Sequence, residues 1–342
     1  MSTFTLINDT TPDRHIGCDA VMQTIRRAAA ARGYLEVATH AAGSNITGAD
    51  YPRLLSQSEL ILINGEGTLH DDSRGCKNIA HFAAVAKAAG KRVALINASY
   101  TDNSPTTTAL LAGCDILAFR NQTSADQFTA QQPSAHTVVL ADLSLQSFPP
   151  PATEPASRRS GRILVTDSVL PTATRHLFEL ALRLGCSYAR VQESPKMTRA
   201  NRPRNVLLSL CRQHPALALQ AARFGSEVLR SAARHTFFKQ AQQASLIITG
   251  RFHVVMFAVQ QGIPFLFLPS NTAKIDHSLA DIGIDSARRK LIDLSTVCTT
   301  PPTTTTLRDL ARFTPEEMLA RKDFLAQQAS SVQQLMDMVF SS

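Results

Sequence analysis

The chain has 342 residues, 44% of them hydrophobic and 18% charged, which suffices for two domains with sizeable cores and excludes a disordered chain. No run approaches the roughly eighteen apolar residues of a membrane span, and the opening Met-Ser-Thr-Phe-Thr-Leu-Ile-Asn reads as a strand, so a cytoplasmic protein is expected. The net charge of +8 is uneven: residues 1–150 carry 11 basic and 13 acidic side chains, a net of −2, and the remainder 24 and 14, a net of +10. That asymmetry favours an anionic partner for the second half, whether a phosphorylated donor, a lipid diphosphate or the inner membrane surface. With 6% aromatics, no tryptophan and no binding module, nucleic acid is not an expected partner. The six cysteines (Cys18, Cys76, Cys114, Cys186, Cys211, Cys298) include no C-x-x-C pair, so free thiols are expected rather than a zinc site or a disulfide framework.

Residues 4–7 are the first predicted strand, followed by a polar loop containing His15 and a helix over 17–32. Strand, glycine-bearing loop and helix make a mononucleotide-binding opening without the full G-x-G-x-x-G fingerprint. A strand at 34–39 precedes the apolar run 59–63, whose continuity suits a sheet covered on both faces. That run ends in Asn64-Gly-Glu-Gly-Thr68, where Gly65 and Gly67 bracket Glu66 and let backbone approach a ligand. The following His70-Asp71-Asp72 lacks the wider ligand set of a metal site, so solvated loop charges are expected and no metal or cofactor is assigned. A helix over 79–89, a strand at 92–97, a short helix at 106–111, a strand at 115–119, a helix at 122–131 and a strand at 137–141 continue the alternation. Such alternation specifies a parallel sheet with right-handed crossovers.

Residues 148–161, with four prolines and no apolar periodicity, read as a linker. Beyond it the pattern restarts: strand 162–166, helix 172–184, strand 187–191, a polar basic stretch at 193–204, and helices at 206–223 and 228–244. Between Arg158 and Lys239 stand 15 basic and 4 acidic side chains. Residues 246–248 form a buried strand ending at Thr249-Gly250, a helix follows from Arg251 to Gly262, and a second buried strand covers 264–268. Two strand ends on one edge thus deliver Arg251, His253, Asn271, Lys274 and His277 to neighbouring loops, and the helix start after Gly250 suits an anion. A short strand at 291–294 and a loop at 298–306 lead to Thr314-Pro-Glu-Glu317, which has the form of a capping box opening a helix over 315–340.

Thr249-Gly-Arg-Phe-His253, Gly262-Ile-Pro264, Asn271-Thr-Ala-Lys-Ile275 and Asp281-Ile-Gly-Ile284 together resemble the C-terminal signature of the polysaccharide pyruvyl transferase family. The similarity extends to the first turn, where His15-Ile-Gly17-Cys-Asp19 loosely matches the family's G-[NDC]-x-G-D-like turn. Glu66 departs from it, standing where relatives commonly have a glycine. The resemblance implies a glycosyltransferase-B-like α/β fold of two Rossmann-like domains facing a central cleft. Its divisions would be 1–147 on the acceptor side, a linker at 148–161, a donor-binding domain at 162–314 and a helix at 315–342 crossing back. The implied activity moves the enolpyruvyl unit of phosphoenolpyruvate onto a sugar as a cyclic ketal, in cell-envelope exopolysaccharide or lipopolysaccharide synthesis.

On that reading Arg251, Lys274, Asn271, Thr249 and Gly250 hold the donor anion, Asn64, Gly65, Gly67 and Thr68 meet the acceptor, and His253 moves protons. Arg251→Ala is expected to abolish donor binding and leave the fold intact. Glu66, expected to be exposed at its strand end with His15 nearby, is a candidate base. A glycosyltransferase using a nucleotide sugar, with Glu66 or His15 as base, and a non-catalytic glycan- or phosphate-binding protein remain the alternatives. The expected acceptor is a glycan or a lipid-linked sugar, reached in the cytoplasm or at the inner face of the membrane.

Overall fold

A computed structural model describes residues 2–151, 161–192, 203–213, 222, 236–291 and 303–341. They divide into two compact units, one of Met1–Pro12, Cys18–Ser147 and Phe324–Ser342, the other of Asp13–Gly17 and Phe148–Asp323. Among the described residues no helix is long and apolar enough to cross a membrane.

The first unit is built on six parallel strands, β1 (Thr3–Asp9), β2 (Leu35–Ala41), β3 (Leu60–His70), β4 (Arg92–Thr101), β5 (Ile116–Phe119) and β6 (Thr137–Val139), in the order β2-β1-β3-β4-β5-β6. Between them lie α1 (Ile16–Ala31), α2 (Tyr51–Leu55), α3 (Arg74–Ala88), α4 (Pro105–Ala112) and α5 (Gln122–Gln131). Alternation along β3 explains its unbroken apolar run. Ile61 and Ile63 pack with Ile79 and Phe82 of α3, while Leu60 and Leu62 pack with Val21 and Ile25 of α1 and with Leu335 and Met336 near the C-terminus. A strand with helices on both faces has no side left for polar residues. Helices α3, α4 and α5 each start on a side-chain cap, with Ser73, Ser104 and Asn121 accepting from the N–H three residues on, at 3.2, 3.3 and 2.9 Å.

The second unit carries β7 (Ile163–Ser168), β8 (Ser187–Ala189), β9 (Leu246–Gly250) and β10 (Phe265–Phe267), all parallel in the order β10-β9-β7-β8. Its helices are α6 (Pro171–Leu184), α7 (Pro203–Gln213), α8 (Phe237–Gln243), α9 (Phe252–Gln261), α10 (Lys274–Ile282), α11 (Ser286–Arg289), α12 (Thr304–Ala311) and the start of α13 (Pro315–Val339). Helix α9 is buried on nearly every side, and it stops where Gly262 takes a left-handed φ of 61°. Residues 13–17 attach here through an antiparallel bridge from His15 to Gln192 and an Ile16 N–H to Val191 carbonyl bond of 3.0 Å. The end of α13, from Phe324 on, belongs to the first unit.

Several elements differ from their sequence-based expectation. Strand β3 runs seven residues past Ile63, to His70, because residues 64–70 keep pairing with β4 through a shift in register between Glu66 and Leu69. Lys274 and His277 lie on α10 rather than in a loop. The segment expected as a loop to Thr306 turns helical at Thr304, since the Thr303 hydroxyl caps the Thr306 N–H at 3.1 Å. Of the strand expected at 291–294, the Leu291 N–H donates to the Phe267 carbonyl at 2.8 Å beside a single bridge from the preceding Lys290 to Phe267, and 292–294 lie outside the described residues. The basic stretch 193–202, residues 152–160 of the linker and most of 214–235 are also outside them.

Candidate functional site

Polar side chains gather at the carboxyl ends of the strands in both units. In the first, three adjacent strands pass through a left-handed residue that is not glycine: Asn8 of β1 (φ 64°), Glu66 of β3 (φ 38°) and Asn97 of β4 (φ 56°). Such conformations cost of the order of 1 kcal/mol each and persist where surrounding bonds hold them. Here the bonds are visible. Asn8 Nδ2 donates to the Asn64 carbonyl at 2.6 Å and to Thr68 Oγ1 at 3.0 Å, and Asn97 Oδ1 accepts the Leu143 N–H at 3.1 Å.

Glu66 lies at the centre of this network and is buried, with 7% of its surface exposed. Its Oε1 accepts from Thr10 Oγ1 at 2.9 Å and from Asn64 Nδ2 at 3.2 Å, and its Oε2 faces the Cys18 thiol at 3.5 Å. The exposed strand-end position expected from its two glycines is therefore not what forms. Gly65 serves packing, because a Cβ there would stand 2.5 Å from Ala98 Cβ. Of the four residues expected to meet the acceptor, Asn64 and Gly65 are buried, whereas Gly67 and Thr68 remain partly exposed.

In the second unit Arg251 is the residue that caps α9, and its guanidinium is already engaged: Nη2 lies 2.6 Å from Asp167 Oδ2 at the end of β7. Both side chains are largely buried, at 11% and 6% exposure, and Asp167 also accepts the Val191 N–H at 3.2 Å. Thr249 Oγ1 accepts the Arg251 N–H at 3.0 Å and pairs with Thr166 Oγ1 at 2.6 Å. Gly250 is required by the sheet, since a Cβ would come within 2.4 Å of Ser168 Cβ. Arg251 Nε is buried without a hydrogen-bond partner among the described residues. Lys274, at the start of α10, donates to Asn271 Oδ1 at 2.9 Å and stays partly exposed, as does His277. His253, in the first turn of α9, is buried against His15, with ring centroids 5.3 Å apart.

Asp167, Asn8 and Asn97 were not singled out by the sequence. Asp167 had a readable signal, since it ends the apolar run Ile163-Leu-Val165 one residue after Thr166 in the same way that Arg251 follows β9.

Strand order, parallel pairing and polar strand ends define a two-unit α/β protein of the glycosyltransferase-B-like class. Among solved structures the chain is similar to a candidate UDP-N-acetylglucosamine 2-epimerase of Listeria monocytogenes, with 12% identity over 97% of each chain and a TM-score of 0.51. It is also similar to the UDP-GlcNAc 2-epimerases of Neisseria meningitidis (11% identity, 96% of this chain and 100% of that one, TM-score 0.48) and Methanocaldococcus jannaschii (10%, 96% and 100%, 0.47). No curated protein matches the sequence. The family model for polysaccharide pyruvyl transferase matches residues 15–272, and the chain belongs to that family. It is a transferase of glycan biosynthesis.

Proposed function

We propose that the protein transfers pyruvate from phosphoenolpyruvate to a sugar, forming a cyclic ketal and releasing phosphate. The observation that carries this reading is the grouping at the carboxyl ends of β9 and β10, where a guanidinium, an imidazole and an ammonium come from Arg251, His253 and Lys274 within the residues matched by the family or just after them. Phosphoenolpyruvate has a carboxylate and a phosphate for the two cations, and its addition to a hydroxyl needs proton transfer near neutral pH. The net charge of +10 over residues 151–342 supports an anionic donor and an acceptor carried on a lipid phosphate, with the work done in the cytoplasm at the inner face of the membrane. An exopolysaccharide or lipopolysaccharide precursor fits that description. The nucleotide-sugar alternative takes Glu66 or His15 as its base, and the hydrogen bonds made at both Glu66 carboxylate oxygens argue against Glu66 in that role.

The test is thermal-shift titration with phosphoenolpyruvate and with cytidine, uridine and guanosine nucleotides, alongside phosphate release from phosphoenolpyruvate in the presence of sugars. Stabilisation by phosphoenolpyruvate and sugar-dependent phosphate release are expected. Stabilisation by a nucleotide alone would mean glycosyl transfer instead.

A further inference from the structure

Residues 13–17 belong to the second unit, and within it they bring a second imidazole to His253. His15 and His253 are 5% and 7% exposed, their rings are tilted by 53°, and one nitrogen of each lies within 4.8 Å of the other. Gly17 arranges both rings. Its N–H donates to His15 Nδ1 at 3.0 Å, so the proton of the neutral His15 ring sits on Nε2. The space left by its missing side chain is occupied by His253, because a Cβ on residue 17 would stand 2.0 Å from His253 Cγ. One glycine thus fixes the tautomer of one imidazole and seats the other.

We propose that His15 and His253 act together on a single oxygen atom, that of the acceptor hydroxyl, making His15 a catalytic residue beside His253. The inference rests on the pyruvyl-transfer reading. Two hydrogen bonds of about 2.8 Å meeting near the tetrahedral angle separate their nitrogens by about 4.6 Å, which lies inside the 4.8 Å bound on one nitrogen of each ring. His15 Nε2–H donates to the hydroxyl oxygen and turns its O–H toward His253. The oxygen then bonds to C2 of phosphoenolpyruvate as its proton passes to His253, and the electron pair of the C2=C3 bond takes that proton at C3, returning His253 to neutrality. Attack at C2 by the sugar's second hydroxyl breaks the bond from C2 to the phosphate oxygen, and phosphate leaves with the second proton. Atoms and charges balance with no further reactant.

The experiment uses the full chain, phosphoenolpyruvate and a panel of methyl hexopyranosides, with phosphate release for turnover and calorimetry for phosphoenolpyruvate affinity. His15→Ala is expected to lower kcat by about 10²-fold or more while the phosphoenolpyruvate Kd moves less than about threefold. His15→Gln, whose amide N–H can stand in for Nε2–H, is expected to recover at least about tenfold of that loss. Gly17→Ala, which displaces the His253 ring, is expected to lower kcat at least as far as His15→Ala. Unchanged turnover in His15→Ala, or equal losses in the Ala and Gln variants accompanied by weakened phosphoenolpyruvate binding, would overturn the proposal and leave His15 a structural residue. Absence of phosphate release by the unmutated protein would overturn the pyruvyl reading and this inference together.

Discussion

At the scale of single residues, burial decides what each charged group can do. Arg251 and Asp167 form a nearly dry pair, so removing the arginine strands a carboxylate that, among the described residues, keeps only the Val191 N–H. Arg251→Ala is therefore expected to weaken folding by about 3–5 kcal/mol, contrary to the sequence-based expectation of an intact fold. The double variant Arg251→Ala/Asp167→Asn should regain much of that stability without regaining donor affinity, and denaturant titration with calorimetry on both variants separates the two effects. Glu66 is the complementary case, a carboxylate whose oxygens are occupied by Thr10, Asn64 and Cys18. Glu66→Gln should keep turnover within about threefold and cost about 1 kcal/mol, the net worth of one lost hydrogen bond. A fall of about 10²-fold in kcat would instead make it the base. The sequence displayed all of these side chains but not their partners. Asp167 lies 84 residues from Arg251, and no periodicity in the chain connects them.

At the scale of elements, patterning made most of the architecture readable. The buried run through Ile63 and the helix over Gln122–Gln131 follow from apolar continuity and from a good N-cap, both local properties. Extension of β3 to His70 was not local, because it depends on pairing with β4 across a register shift that glycine-rich sequence does not advertise. The start of α13 was legible in full: Thr314 Oγ1 accepts the Glu317 N–H at 3.2 Å, and Glu317 Oε2 accepts the Thr314 N–H at 2.9 Å. The sequence did not reveal that the same carboxylate also binds Arg289, a fully buried guanidinium, at 2.7 Å and Arg288 at 2.9 Å. Burial raises the Glu317 pKa, but the Arg289 hydrogen bonds and the Thr314 and Asp285 N–H groups outweigh it and bring the carboxyl down to about 2. A depressed carboxyl stabilises the fold above its unfolded pKa, here near 4.5, and that stabilisation is lost as pH falls from 4.5 toward 2. The melting temperature of the unmutated protein should therefore drop through that window more steeply than that of Glu317→Gln. Parallel acid titrations with equal slopes would show that Glu317 does not govern acid stability.

At the scale of the whole molecule, the first unit is assembled from three stretches of chain, the last of them Phe324–Ser342. Val332, Leu335, Met336, Val339 and Phe340 are part of the core that also holds Phe4, Leu6 and Val21, Gln328 accepts the Ala141 N–H at 2.6 Å, and Arg92 donates to the carbonyls of Met338 and Ser341. A chain ending at Asp323 should lose amide-exchange protection in β1 and α1 while β7 and β9 stay protected, and equal loss in both groups would show that the units are not separately stable. This discontinuity sets a timetable for synthesis. At about 5–20 residues per second, a ribosome takes roughly 9–35 s to travel from Ser147 to Phe324. Throughout that interval the domain made first waits with the C-terminal side of its core uncovered, and it is completed last. A nascent chain in that condition is a natural client for chaperones that shield apolar surface, and premature termination late in the message leaves an unfinished domain rather than a shortened enzyme.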